Sequence, residues 1–203
     1  MRIGIFGGTF NPPHEGHKKL ALEFSGRLSL DLILIVPTGS PPHKTVNNLA
    51  SAHDRLEMCK LCFKDKSTPF IVSNIETCQS GKSYTVDTLK RIKILHPRDE
   101  LFFIMGSDML LSFHEWREPE RILSMATVCA ASRDDGDAQR LRGYIDTHFK
   151  NEADRFAIID FDPVEVSSTQ IRQSIARGEG TCYLDKKVAD YIKQKGLYTD
   201  AMD

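Results

Sequence analysis

At 203 residues, 40% apolar and 27% charged, the chain has the make-up of an ordinary globular protein, large enough to bury a core without cross-links. Its formal net charge of −1, with no basic tail and no long run of one sign, argues against a dedicated nucleic-acid or membrane-surface binder. The opening MRIGIFGG is too short an apolar run for a signal peptide and no stretch could span a bilayer, so a cytoplasmic protein is expected.

Apolar runs and helical periods alternate along the chain. Arg2–Phe6 reads as a strand and is followed by a Gly-rich loop. Leu20, Phe24 and Leu28 then recur every four residues, which predicts a helix from Gly16 to about Leu28. Leu32–Pro37 is a continuous apolar run of the kind found in a strand covered on both faces. A loop rich in Pro, Ser and Asn leads to a helix from about Ser51 to Phe63, and Phe70–Val72 begins a strand. Val86, Leu89 and Ile92 give Ser83–Leu95 a helical period. Leu101–Met105 and Thr127–Ala131 are further buried strands, with short helices expected between them around Asp108–Phe113 and Pro119–Met125. Asp134–Glu152 is the most polar segment and reads as an exposed helix. Phe156–Phe161 returns to strand character, and Ser168–Ala176 and Asp185–Lys195 close the chain as helices, the last stopped by Gly196. This alternation predicts an α/β fold, a doubly wound (Rossmann-like) parallel sheet with flanking helices and a small C-terminal helical addition. One domain over 1–203 is expected, with 1–165 as core and 166–203 as the C-terminal helices.

The five cysteines are scattered, and only Cys59 and Cys62 form a C-x-x-C pair. That pair falls near a helix end rather than at a helix start after a strand, and no second pair completes a zinc site, so core cysteines are expected. Gly81-Lys82-Ser83 has the ending of a P-loop, but position 76 is Glu76 where the first glycine should be, and no buried strand leads directly into it. His53, His96, His114 and His148 have no partners at catalytic or ligand spacing.

Chemistry concentrates at Gly7–His17, GGTFNPPHEGH, between the first strand and the first helix. In such folds ligands bind beyond the C-terminal ends of the strands. Gly7 and Gly8 admit a phosphate close to the backbone, and His14 and His17, three apart, share one face at the helix entry with Gly16 between them. The helix N-terminus adds N–H groups and a positive dipole end. Two imidazoles, bare backbone and a helix start suit a triphosphate. Far along the chain VSSTQIR carries Ser167 and Gln170 in a capping-box pattern, with Arg172 able to offer two parallel donors to phosphate oxygens. Taken alone, that segment is equally a purely structural cap.

H-E-G-H matches the H-x-G-H signature of the nucleotidyltransferase superfamily, and the whole loop resembles its bacterial nicotinate-mononucleotide adenylyltransferase branch. Asn11 stands where that branch more commonly has Asp, which keeps an acceptor and loses a charge. SSTQIR is similar to the family's S-S-T-x-I-R, and PPHK at Pro41–Lys44, SYT at Ser83–Thr85, GSD at Gly106–Asp108 and the single Trp116 follow in the branch's order. The resemblance implies ATP at Gly7, Gly8, Thr9, Phe10, His14, His17, Gly106, Asp108, Arg133, Ser167, Ser168, Ile171 and Arg172. It implies nicotinate mononucleotide at Gly8, His43, Lys44, Ser83, Tyr84, Thr85, Asp108, Trp116 and Arg117. Trp116 would stack on the pyridine ring while the N–H groups of Thr85 and Arg117 hold its carboxylate. On spacing alone Trp116 reads as a core residue and His43 and Lys44 as surface charge. His14, His17, Lys44 and Arg172 are the candidate catalytic residues, with Mg²⁺ carried on ATP's phosphates and no protein metal site. Two alternatives stay open: a sister adenylyl- or cytidylyltransferase acting on phosphopantetheine or another phosphate monoester, and a nucleotide-binding regulator without catalysis. ATP and nicotinate mononucleotide are the expected partners; a homo-oligomer is left open.

Overall fold

A computed structural model of the chain describes residues 1–40, 48–64, 69–79, 81–132, 135–179 and 182–199. Six parallel strands form one sheet, β1 (Arg2–Gly8), β2 (Leu32–Pro37), β3 (Phe70–Val72), β4 (Glu100–Met105), β5 (Thr127–Ser132) and β6 (Phe156–Asp160), in the order β3-β2-β1-β4-β5-β6. The order reverses between β1 and β4, whose pairing runs from Arg2 against Glu100 to Phe6 against Ile104. Such a reversal opens a crevice at the strands' C-terminal ends, where crossover connections leave in opposite directions.

The doubly wound arrangement follows from strands that are apolar on both faces. Ile3, Ile5, Leu34, Val36, Phe103 and Val128 point to one side and pack with α3 (Thr85–Leu95), α5 (Pro119–Met125) and α6 (Asp135–His148). Phe6, Ile33, Ile35, Ile104 and Cys129 point to the other and pack with α1 (Glu15–Arg27), α2 (Ala52–Cys62), α7 (Ser168–Ala176) and α8 (Lys186–Lys195). A two-residue alternation thus separates two cores rather than core from solvent. A short α4 (Ser107–Leu110) and a one-turn 3₁₀ helix at Phe113–Glu115 fill the segment between β4 and α5, and a second 3₁₀ stretch at Lys150–Arg155 leads into β6.

Helix ends obey local chemistry. The Ser51 hydroxyl accepts the Asp54 N–H at 3.0 Å to start α2. Ser167 and Gln170 cap each other at the start of α7, as their spacing predicts. Gly196 ends α8 in the left-handed conformation, φ 61°. The polar segment expected to be a merely exposed helix is corrected: in α6, Ala138, Leu141 and Ile145 are buried, joined by Phe149 beyond it. Its 3–4 spacing of apolar residues is amphipathic, and the abundance of charge on the outer face hid the stripe. Cys59, Cys62 and Cys129 are core residues, whereas Cys78 and Cys182 are exposed, against the expectation for those two. Burial pushes the Cys62 thiol up to about 12 and that of Cys59 well above its ordinary range, so neither is a thiolate near neutrality.

Candidate active site

β1 delivers Gly7, Gly8 and Thr9 to the sheet reversal, and the chain then turns at Phe10 with φ 49°. The Phe10 ring is buried among Phe6, Phe63 and His17 at centroid distances of 5.5, 5.7 and 5.1 Å. A Cβ on Gly8 would meet that ring at 3.0 Å, so Gly8 is required by the packing of Phe10 as well as by access. Phe10 therefore shapes the loop from below, and its ring is a core group.

Asn11 is the pin of the loop. Its Oδ1 accepts the Ala50 N–H at 3.0 Å and the Tyr198 hydroxyl at 2.7 Å, and its Nδ2 donates to the Asn48 carbonyl at 3.1 Å. Its own carbonyl accepts from Arg172 Nη1 at 2.9 Å, and the next carbonyl, of Pro12, accepts from Ser168 Oγ at 2.9 Å. The two sequence motifs are thus physically joined: the start of α7 is bonded to the backbone between Asn11 and Pro12.

α1 begins at Glu15 with His14 as its cap residue. His17 Nδ1 accepts the His14 backbone N–H at 3.2 Å, so the neutral ring carries its proton on Nε2 and can donate from there. The two imidazoles lie 3.8 Å apart between centroids. A Cβ on Gly16 would stand 3.0 Å from His14 Nδ1, so the glycine makes room for the ring. Burial pushes His14 down to about 4, and His17 falls well below its ordinary value through burial first and the neighbouring His14 second. Both rings are neutral at pH 7. His14 Nδ1 and Arg172 Nε are buried with no hydrogen-bond partner among the described residues.

Beside this loop a cavity of about 260 Å³ opens between β1, β4 and α3. Gly7, Gly8 and Thr9 form one wall, Ser83, Tyr84 and Thr85 a second, and Gly106, Trp116 and Arg117 a third. Tyr84 caps α3 without a side-chain hydrogen bond, leaving first-turn N–H groups of α3 available at the cavity. Trp116 is half-buried, packed against Phe113 and Phe103 at 5.5 and 6.1 Å, and it presents surface to the cavity, so it serves as both core and wall. Asp108 sits exposed in the first turn of α4, beside the Gly106 and Met109 that line the cavity. Ile171 is buried in the same core as Phe10. His43, Lys44 and Arg133 lie outside the described residues.

Three buried polar residues escaped the sequence reading. Arg55 is fully buried and donates to the carbonyls of Ala50, Thr9 and Gly39 at 3.1, 2.8 and 2.9 Å, tying the β1–α1 loop to both ends of the β2–α2 connection. Glu76 lines the cavity and accepts from Thr88 Oγ1 at 2.7 Å. Burial raises its carboxyl, opposed by hydrogen bonds from Thr88, Ser83 and the Gly39 N–H and by the charge of Arg55. Tyr198, next to last in the described chain, is the third. A buried Arg in a helical period is indistinguishable by pattern from a surface one, and only its three-carbonyl environment identifies it.

A family model described as cytidylyltransferase-like matches residues 5–174, and the chain belongs to that class of nucleotidyltransferases. A nicotinate-nucleotide adenylyltransferase of Desulfitobacterium hafniense is 37% identical over 97% of this chain and 95% of its own length. One from Halalkalibacterium halodurans is 38% identical over 97% of this chain and 91% of its own. Within the class, the chain is a member of the nicotinate-nucleotide adenylyltransferase family. The fold is shared with a Plasmodium falciparum nicotinic acid mononucleotide adenylyltransferase solved in complex with NaAD, with a TM-score of 0.76, 21% identity and 97% of each chain covered. No helix among the described residues is long and apolar enough to cross a membrane.

Proposed function

We propose that the chain transfers the adenylyl group of ATP to nicotinate mononucleotide, giving nicotinate adenine dinucleotide and pyrophosphate for NAD biosynthesis. The observation that carries this reading is the continuity of the site: the phosphate loop at Gly7–Thr9 is one wall of the cavity whose other walls are Ser83–Thr85 and Trp116–Arg117. An acceptor in that cavity has its reacting end at the loop that holds the donor. Trp116 offers an aromatic face to a flat, electron-poor ring, and the α3 N-terminus offers N–H groups to its carboxylate.

The acceptor phosphate is already a nucleophile at neutral pH. An oxygen of that phosphate bonds to the α-phosphorus of ATP while the bond from that phosphorus to the bridging oxygen of the β-phosphate breaks, and pyrophosphate leaves with the electron pair. No side chain need give up or take a proton. Catalysis then consists of alignment and of donors aimed at the developing charge. The His17 tautomer fixed by the His14 N–H places a donor on Nε2. The unpartnered nitrogens of His14 and Arg172 are further candidates for phosphate oxygens. Lys44 and His43 keep the phosphate role that their motif implies, Arg133 a role at the adenine, and Asp108 at a ribose hydroxyl. The divalent cation is taken to ride on ATP's phosphate oxygens as part of the substrate, since Mg²⁺ keeps several waters and favours phosphate oxygens over an all-protein cage.

Pyrophosphate release from ATP is the test, with nicotinate mononucleotide, nicotinamide mononucleotide and phosphopantetheine offered in turn. Fastest turnover with nicotinate mononucleotide is expected. Phosphopantetheine as the best acceptor would overturn the assignment, and no release with any of the three would remove catalysis altogether.

A further inference from the structure

The proposed reading leaves open which side chain tells the acid acceptor from its amide, since backbone N–H groups can also hold an amide oxygen. Among the described residues lining the cavity only Arg117 and Glu76 carry charge. Glu76 is engaged by Thr88 Oγ1 and stands on the side of Gly39 and Ser83. Arg117 stands with Trp116, and its guanidinium lies over the Tyr84 ring, 4.8 Å from the centroid. Tyr84 is in turn the cap residue of α3. The cation is therefore held beside the aromatic wall and beside the helix start that faces the acceptor.

Its pairing with neighbouring carboxylates is loose. Asp87 and Glu118 approach Arg117 at 3.7 and 3.8 Å, outside good hydrogen-bonding distance. Those carboxylates also serve Lys90, at 3.6 Å from each, and Glu118 serves Arg121 at 3.3 Å. Three cations share two carboxylates, so neither carboxylate is committed to Arg117 alone. The wall that carries Arg117 is also held in an unusual backbone: Glu118 adopts the left-handed region, φ 53°, directly before Pro119. Non-glycine residues in that region persist only where surrounding structure fixes them, and they gather at ligand-contacting segments.

We infer that the Arg117 side chain is a specificity-determining residue that favours an acceptor whose ring bears a carboxylate over one bearing the uncharged amide. The inference rests on the adenylyltransferase reading above. A cation at the cavity rim interacts with the acid's charge and has no equivalent in the amide, and partial solvent exposure keeps the effect moderate.

The experiment compares kcat/KM for nicotinate and nicotinamide mononucleotides in the parent enzyme, Arg117→Gln and Arg117→Lys. Arg117→Gln should lower the acid-to-amide ratio by about three- to tenfold, mainly through KM for the acid, with KM for ATP little changed. Arg117→Lys, which keeps the charge, should restore most of the ratio, and the loss in Arg117→Gln should shrink as salt is raised. An equal loss for both acceptors in Arg117→Gln, or no restoration by lysine, would overturn the inference while leaving the adenylyltransferase reading intact. No turnover of either acceptor by the parent enzyme would instead bring down that reading, and the inference with it.

Discussion

His17 and His14 are neighbours with different tasks. His17 spends Nδ1 on the His14 backbone N–H and so has Nε2 for a ligand. Its replacement by alanine should remove one donor present in the transition state and lower kcat by roughly 10²–10³. An unchanged kcat for His17→Ala would take the residue out of catalysis. His14 is, with His17, also a source of acid lability. Its folded pKa, pushed down by burial to about 4, lies below the ordinary histidine value. Between those two values the unfolded chain binds the proton and the folded chain does not, so stability falls as pH drops through the window from about 6.5 to about 4. The full effect is on the order of 3 kcal/mol. His14→Gln should make this limb shallower in urea titrations at pH 7.0, 6.0 and 5.0, with His17 keeping its own contribution; an equally steep loss in the variant would place the lability elsewhere.

At the scale of elements, the Gly7–His17 loop owes its shape to groups far away in sequence. Asn11, Tyr198 and the start of α7 are joined through buried hydrogen bonds, one of which links Tyr198 to a residue 187 positions earlier. Asn, rather than Asp, suits the geometry here, because its amide donates to the Asn48 carbonyl while its oxygen accepts twice. Tyr198→Phe deletes one buried hydroxyl and keeps the ring. A loss of about 1 kcal/mol is expected, equivalent to a Tm drop of roughly 2–4 °C for a chain of this size. Calorimetry showing no change would mean that the hydroxyl finds water equally well. The elements themselves were legible because their signals are local: β2 matches its predicted range, and the capping box of Ser167 and Gln170 forms as read. The Phe10 ring packs beneath the loop, which leaves its backbone for the ATP contact that the motif implies, since neighbourhood in a motif does not say which way a ring points. Arg55, Glu76 and Tyr198 were illegible for a related reason. Each works through partners brought by the fold, and none has a spacing that announces it.

Over the whole molecule, the sheet reversal sets the site and the two cores hold it in place. The C-terminal helices are more than an appendage to this arrangement. Val188, Ile192 and Tyr198 are buried in the same cluster as Phe6 and Phe10, behind the Gly7–His17 loop. We propose that 1–203 folds as one unit for this reason. Each of those three side chains contributes about 1.5–3 kcal/mol by burial, which together rivals the 5–15 kcal/mol by which a typical domain is stable. A chain ending at Leu184 would also leave the Asn11 oxygen without its Tyr198 donor. That truncation should lose its cooperative thermal transition and its near-ultraviolet circular dichroism, and with them pyrophosphate release, whereas the full chain should unfold in a single step. A truncated chain that still melts cooperatively, at a Tm within a few degrees of the parent, would show that the β1 to β6 core stands alone and that the C-terminal helices only decorate it.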